Sequence, residues 1–123
     1  MGNLPLRTYP TEKTVESNDR VSTVSSTATK ISNYGKTLLS STAAGTYIME
    51  SPIPGVRKVL VSSSGTSAVA RTVTGETTTV LFITNGSTNT NLVFTVLNAG
   101  IEIEGRTSLI WDVISTSGGA TLS

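Results

Sequence analysis

Cysteine and histidine are both absent from the 123 residues of this chain. Their absence excludes a disulfide framework, a thiolate nucleophile, a Cys/His zinc site, a histidine general base and a Ser-His-Asp triad. The groups left for catalysis are eight carboxylates, nine cations and many hydroxyls, since Ser and Thr together make up about a third of the chain. The sequence therefore favours a structural or binding protein over an enzyme and predicts no cofactor, no metal site and no small-molecule substrate.

Charge and long apolar runs are also scarce. Charged residues make up 14% of the chain and the formal net charge is +1, so neither nucleic acid nor an anionic membrane is an expected partner. No apolar run approaches the roughly 18 residues that cross a bilayer. The first residues lack the apolar segment of a secretory signal peptide. We expect a protein that is made in the cytoplasm and does not enter a membrane.

The first 34 residues carry only scattered apolar side chains. Pro5 and Pro10 interrupt regular strand pairing, and the Ser- and Thr-rich run over 22–29 lacks the bulk to anchor a core. We predict an extended N-terminal arm over residues 1–34 that is held by a partner surface; the alternative is a disordered tail. The residues predicted to contact that partner are Leu4, Leu6 and Tyr9, as apolar anchors, and Arg7, as a charge partner.

Residues 35–123 carry the pattern of a β domain. Thr, Val and Ile dominate, and turn signals such as Pro54-Gly55 and Asn85-Gly86 recur about every ten residues. This spacing predicts an all-β fold, a small antiparallel β-sandwich or barrel. The candidate strands lie at about 36–40, 46–50, 56–62, 67–74, 77–84, 91–98, 101–104 and 107–115.

Alternation along these strands predicts which side chains are buried. Ile101 and Ile103 face one way and Glu102 and Glu104 the other. Other strands are apolar on both faces, which suits a central strand or a strand covered by another subunit, and Trp111 in such a strand is predicted to anchor the core or a subunit interface. A core this small favours association, so we expect a homo-oligomer.

Two groups of charged residues invite a functional interpretation. Glu102 and Glu104 could form the carboxylate pair of a glycoside hydrolase or a metal site, but an ordinary half-exposed strand is favoured. Asp112 is expected to pair with Arg106, Arg57 or Arg71.

Arg57 and Lys58 follow the Pro54-Gly55 turn. A phosphate site would need a glycine-rich loop and a helix start, and neither is present, so the two cations are predicted to bind a partner at a sheet edge or interface. The sequence Asn85-Gly86-Ser87 matches a glycosylation sequon, but Asn-Gly is favoured as a type I′ hairpin turn.

Two segments resemble the small virion structural proteins of tailed bacteriophages. One is the strand–turn–strand run from Gly45 to Leu60, which contains Pro52-Ile53-Pro54-Gly55-Val56-Arg57-Lys58; the other is the run from Arg106 to Ile114, with a Trp in the last strand. The resemblance implies a head decoration (cement) protein on the capsid surface of the virion. It also implies binding to the major capsid protein and a trimeric state. The alternative is a tail, neck or fibre module, including a carbohydrate-binding adhesin.

Overall fold

A computed structural model describes residues 21–63 and 69–123 of the chain. These residues form strands and turns and contain no helix, which confirms the all-β prediction. The strands are β1 (Val21–Val24), β2 (Gly35–Leu39), β3 (Gly45–Met49), β4 (Arg57–Ser62), β5 (Arg71–Gly75), β6 (Leu81–Thr84), β7 (Ser87–Asn89), β8 (Asn91–Phe94), β9 (Gly100–Gly105), β10 (Ile110–Ser117) and β11 (Thr121–Leu122).

The strands form two sheets that share one hydrophobic core. The larger sheet has the order β1-β2-β4-β9-β10-β6-β7 and the smaller one β11-β8-β5-β3. Buried and half-exposed side chains alternate along most strands, as expected when one face of each sheet packs inward. The fold is therefore a β-sandwich. Its largest buried apolar side chains are Ile31, Leu39, Tyr47, Met49, Leu60, Phe82, Leu92, Phe94, Ile101 and Trp111.

The strand pairing is mixed, whereas the sequence pattern predicted an antiparallel domain. Four pairs are parallel: β1–β2, β2–β4, β3–β5 and β6–β10. For two of these pairs, β2–β4 and β3–β5, the reason is that β2, β3, β4 and β5 alternate between the two sheets. A chain that crosses to the opposite sheet and returns runs in its original direction again, so β2 and β4 become parallel neighbours, and so do β3 and β5.

Residues 21–34 belong to this β domain, although the sequence placed them in the arm. β1 pairs with β2 along its whole length, and Val24 and Ile31 are part of the core. The backbone around Ile31 bonds to the end of β3, through Ile31 N to the Ile48 carbonyl (2.8 Å) and Glu50 N to the Ile31 carbonyl (2.9 Å). We call residues 25–34, between β1 and β2, the crossing segment. One isoleucine in a polar run was too weak a sequence signal to predict that this segment packs against β3. Residues 1–20 lie outside the described residues.

The sandwich has two distinguishable ends. β1, β2 and β4 are parallel and begin at the same end, which we call the entry end. It is formed by residues 30–35, 50–57, 76–80 and 105–110. Backbone hydrogen bonds connect these segments, from Gly55 N to the Gly105 carbonyl (2.9 Å) and from Leu81 N to the Leu109 carbonyl (2.9 Å). The opposite end, the far end, contains residues 40–45, 62–63, 69–71, 95–99 and 117–120.

Candidate partner-binding surface

The two neighbouring cations predicted to bind a partner lie on opposite faces of β4. Arg57 is exposed, whereas Lys58 is 0% exposed and points into the sandwich. Successive side chains of a strand alternate between faces, and β4 lies in the interior of the larger sheet, between β2 and β9. Arg57 is therefore accessible to a partner, and Lys58 is not. A single surface containing both cations does not form.

Arg57 is held by the two glutamates of β9. Its Nη1 lies 2.9 Å from Glu102 Oε2 and its Nε lies 3.8 Å from Glu104 Oε1. The cross-strand register places Arg57 opposite Glu104, which explains the contact. Both glutamates are half-buried on the outer face, while Ile101 and Ile103 are in the core. The ordinary half-exposed strand favoured from the sequence is confirmed.

Asp112 pairs with Arg106, one of the three arginines expected for it. Arg106 Nε donates to Asp112 Oδ2 at 3.1 Å, and Arg106 Nη2 donates to Asp112 Oδ1. The hydrogen bond from Arg106 and the charge of Asp112 raise the pKa of Arg106. Both side chains lie at the entry end and are partly exposed. Over residues 21–63 and 69–123 no three acidic side chains come together as a metal site would require.

Exposed apolar side chains surround the charges of the entry end. Ile53 is 46% exposed and Leu109 is 43% exposed. Val21, where the chain enters β1, is 59% exposed. The loop that carries Ile53 is fixed against β9 by the Pro54–Gly105 bridge. This end therefore combines rigid loops, exposed apolar groups and the accessible Arg57.

An ion pair fixes the polar crossing segment to the end of β5. Lys30 Nζ donates to Glu76 Oε2 at 2.8 Å, and Ser51 N donates to Glu76 Oε1 at 2.9 Å. The hydrogen bonds from Lys30 and then Ser51 lower the pKa of Glu76 to about 2. Glu76 therefore remains ionised in mild acid and keeps both hydrogen bonds. Through them it joins three segments of the entry end, those that contain Lys30, Ser51 and Glu76 itself.

Lys58 is buried among neutral oxygens. Its Nζ donates to Thr37 Oγ1 (2.5 Å), to the Tyr34 carbonyl (2.9 Å) and to Ser32 Oγ (3.3 Å). These bonds use all three ammonium hydrogens. Burial lowers the pKa of Lys58 to about 8, against a smaller opposing effect from Glu50.

Arg71 is the second buried cation, at 1% exposure. Its Nη1 donates to Ser62 Oγ at 2.6 Å and its Nε to Ser41 Oγ at 3.3 Å, while Nη2 donates to the Ser41 carbonyl. The sequence did carry a signal that Arg71 is buried, because Arg71 lies on the same strand face as Val73 and that face is otherwise apolar. Lys58 gave a similar signal, two residues before Leu60 on the same inward face.

The far end differs from the entry end in charge. Among its described segments, 40–45, 62–63, 69–71, 95–99 and 117–120, the single ionisable side chain is the buried Arg71. The exposed side chains there are small or hydroxyl-bearing, apart from Asn98 and from Val96, which is 48% exposed. All partly exposed charges of the described residues therefore lie toward the entry end or on the middle of the outer face.

The predicted arm contacts Leu4, Leu6, Arg7 and Tyr9 lie outside the described residues. Of the residues predicted to bind a partner, the structure therefore places Arg57 and Lys58, and it separates them. Comparison of the chain with protein-family models and with curated proteins gave no match. No helix with the length and apolarity of a membrane span occurs in the described ranges.

Proposed function

We propose that this protein is a virion structural protein, a capsid decoration protein that binds the major capsid protein and stabilises the shell. The observation that carries the proposal is the composition of the entry end. The chain leading from residues 1–20 joins β1 at this end, which also carries the exposed Ile53, Leu109 and Arg57 on, or in the loops before, strands farther along the same sheet. The proposal assigns shell binding to this end and to the predicted contacts of the arm.

This arrangement suits attachment to a large protein surface. A stable interface needs about 800 Å² from each partner, and the accessible surface of this chain is 6586 Å². An arm that continues from the entry end adds contact area to that of the rigid loops. Apolar side chains supply most of the affinity, since exposed ion pairs contribute only about 0–1 kcal/mol each.

The outer face of the larger sheet supports a homo-oligomer. Leu38, Val59 and Val61 lie half-buried on the outward side of the neighbouring strands β2 and β4, with Val21 in the same face of β1. Burying these side chains against a second subunit would add to a core that is small for an isolated domain. The trimeric state is taken from the resemblance to phage virion proteins.

Deletion of residues 1–20 tests the proposed division between shell binding and subunit contacts. The truncated protein should keep its oligomer mass in light scattering, because β1 and the outer face remain, but cosediment less with purified capsids. Ile53→Ser with Leu109→Ser should weaken cosedimentation in the same way, whereas Val96→Ser at the far end serves as the matched control.

Separate outcomes would contradict separate parts of the proposal. Unchanged cosedimentation after the deletion would exclude the arm from shell binding. A shift of the truncated protein to monomers would mean that residues 1–20 make subunit contacts. Binding to purified tails and not to heads would favour the alternative of a tail, neck or fibre module.

A further inference from the structure

A cleft with polar and apolar lining opens beside the edge strand β1, between that strand and the crossing segment that follows it. Its volume is about 280 Å³, near the lower end of the range for small-molecule sites. The polar side chains that line it are those of Ser22, Thr23, Thr29, Lys30, Ser32 and Tyr34.

The hydrogen bonds beneath the cleft orient the hydroxyl of Ser22. Thr37 Oγ1 accepts a hydrogen bond from Lys58 Nζ at 2.5 Å and lies 3.0 Å from Ser22 Oγ. Thr37 is 0% exposed, so its own hydroxyl hydrogen must find an acceptor inside the protein. Besides Lys58 Nζ, which only donates, Ser22 Oγ is the hydrogen-bond partner that the described residues give this hydroxyl. The geometry therefore favours Thr37 as the donor and Ser22 as the acceptor. The hydrogen of Ser22 is left to donate into the cleft.

This chain of hydrogen bonds begins at a positive charge. The ammonium of Lys58 donates to neutral oxygens of Thr37, Ser32 and Tyr34. Hydrogen bonds in a chain polarise one another, so the Lys58 charge strengthens Ser22 as a donor. Lys30 adds a second cation at the rim, although its Nζ is already bonded to Glu76 at 2.8 Å. The cleft is thus suited to a negatively charged acceptor.

Tyr34 supplies an aromatic side chain to the same cleft. Of the aromatic residues in the described ranges, Tyr47, Phe82, Phe94 and Trp111 are 0% exposed, and Tyr34 alone is partly exposed. An accessible aromatic side chain among hydroxyls presents an apolar surface next to hydrogen-bonding groups. This combination matches a sugar ring, which has an apolar face and a polar edge.

We propose that the cleft between β1 and the crossing segment binds an acidic sugar, with the sugar carboxylate bonded by Ser22 and the ring against Tyr34. The site binds its ligand without transforming it. The proposal does not depend on the location of the protein in a virion.

Titration with sodium glucuronate tests the ligand class, with methyl glucoside and sodium acetate as the neutral-sugar and carboxylate-only comparisons. Backbone amide resonances of residues 22–24 and 29–34 should shift with glucuronate in a saturable way. Glucuronate should bind at least about tenfold more tightly than either comparison compound, because a bond to a charged acceptor is worth about 1.5–3 kcal/mol.

Three substitutions test whether Ser22 and Tyr34 contact the ligand. Ser22→Ala should weaken glucuronate binding about tenfold, and Tyr34→Leu should remove the preference for glucuronate over acetate. Ser25→Ala, an exposed serine outside the cleft, is the control and should bind as the parent does. Thermal melts of all three should show that each variant is folded.

The pH dependence of glucuronate affinity tests the role of the Lys58 charge. The ionisable group that acts on its ammonium is Glu50, and the nearest ion pair at the rim of the cleft is Lys30–Glu76. Loss of the Lys58 proton as pH rises through about 8 removes the charge behind Ser22, so glucuronate affinity should fall between pH 7 and pH 9 in the parent. In Lys58→Met it should be weak throughout.

Several results would overturn the proposal. Equal binding of methyl glucoside and glucuronate would exclude the carboxylate contact, and equal binding of acetate would exclude the sugar. Unchanged glucuronate affinity in a folded Ser22→Ala would exclude the proposed contact between the Ser22 hydroxyl and the sugar carboxylate. Absence of any saturable shift in the cleft amides would exclude the site.

Discussion

Lys58 and Arg71 are both enclosed in the sandwich without a bonded carboxylate. Each donates instead to hydroxyl and backbone carbonyl oxygens, from Ser32, Tyr34 and Thr37 for Lys58 and from Ser41 and Ser62 for Arg71. Removing a charge from water is costly, and neutral acceptors recover only part of that cost. The Ser and Thr residues of this chain therefore have a structural role in the interior as well as on the surface.

The buried Lys58 should make stability depend on pH in the alkaline range. Its pKa is about 8 in the folded protein and 10.5 as the ordinary value, so between these limits the unfolded chain binds more protons. The free energy of unfolding should therefore rise with pH over this window, by up to roughly 3 kcal/mol, and the gain should be lost as pH falls through about 8. Urea unfolding at pH 7, 8, 9 and 10 measures this rise.

Lys58→Met is the control for that experiment, because it removes the titrating group and leaves a side chain of similar length. The parent should gain stability relative to Lys58→Met as the pH increases. A constant difference between the two proteins from pH 7 to pH 10 would show that the Lys58 pKa is not lowered.

Trp111 should be the most costly apolar side chain to truncate. It is the largest of the fully buried side chains, and its Nε1 has no hydrogen-bond partner in the described structure. Trp111→Ala should destabilise the protein by about 3–5 kcal/mol, whereas Trp111→Phe should cost much less because it also removes the unpaired N–H. Leu109→Ala, at an exposed neighbour, is the matched control, and a Trp111→Ala melt equal to the parent would contradict the core assignment.

At the scale of strands, the entry end depends on a close contact between β9 and the loop before β4. Gly105 N donates to the Val56 carbonyl at 3.0 Å, and Gly55 N donates to the Gly105 carbonyl at 2.9 Å. A Cβ atom at Gly105 would overlap the carbonyl group of Ile53. This backbone contact explains why glycine ends β9, and it fixes the position of Ile53.

Gly105→Ala should therefore destabilise the protein by about 1–3 kcal/mol, as expected for overpacking against backbone. It should also weaken capsid binding more than its effect on stability would explain, because the loop carrying Ile53 must move. The control is Gly100→Ala on the same strand, where the new Cβ would lie 3.3 Å from Ser117 Oγ and a smaller loss is expected. Denaturant unfolding and cosedimentation measure the two effects, and equal losses in both variants would contradict the role given to Gly105.

At the scale of the whole molecule, the surfaces divide into three regions. The entry end carries the partly exposed charges and the continuation toward the arm, the far end has little charge, and the outer face of β2 and β4 has an apolar stretch. A protein that binds two different kinds of neighbour needs surfaces separated in this way. In the proposed function, the outer face would contact other copies of the chain and the entry end would contact the shell.

Leu38→Glu tests the sideways contact. Leu38 lies beside Val61 in the β2–β4 register, and a glutamate there would leave a charge in the proposed subunit interface, so the mass in light scattering should fall toward that of a monomer. Ile48→Glu, on the outward side of the smaller sheet and 43% exposed in the parent, should leave the mass unchanged. If Ile48→Glu lowered the mass and Leu38→Glu did not, the subunit interface would lie on the smaller sheet. If the parent protein were itself a monomer, there would be no subunit interface.

Local patterns in the sequence determined the strands and the direction of their side chains. All eight predicted strands have counterparts, the inward and outward sides of β9 are as expected, and Asn85 and Gly86 take the positive φ values of 48° and 80° that their turn requires. These features depend on neighbours in sequence, through steric preference and the two-residue period of a strand.

Tertiary structure decided which strands pair and where the polar residues lie. Whether β2 pairs with β3 or β4 depends on the chain crossing between sheets, and no local pattern records that choice. The crossing segment and the short strand β11 depend likewise on contacts distant in sequence, and so do the hydrogen-bond partners of Lys58. A hydroxyl-rich run or a lysine is polar in isolation, and it can be buried only when the fold brings hydrogen-bond partners to it.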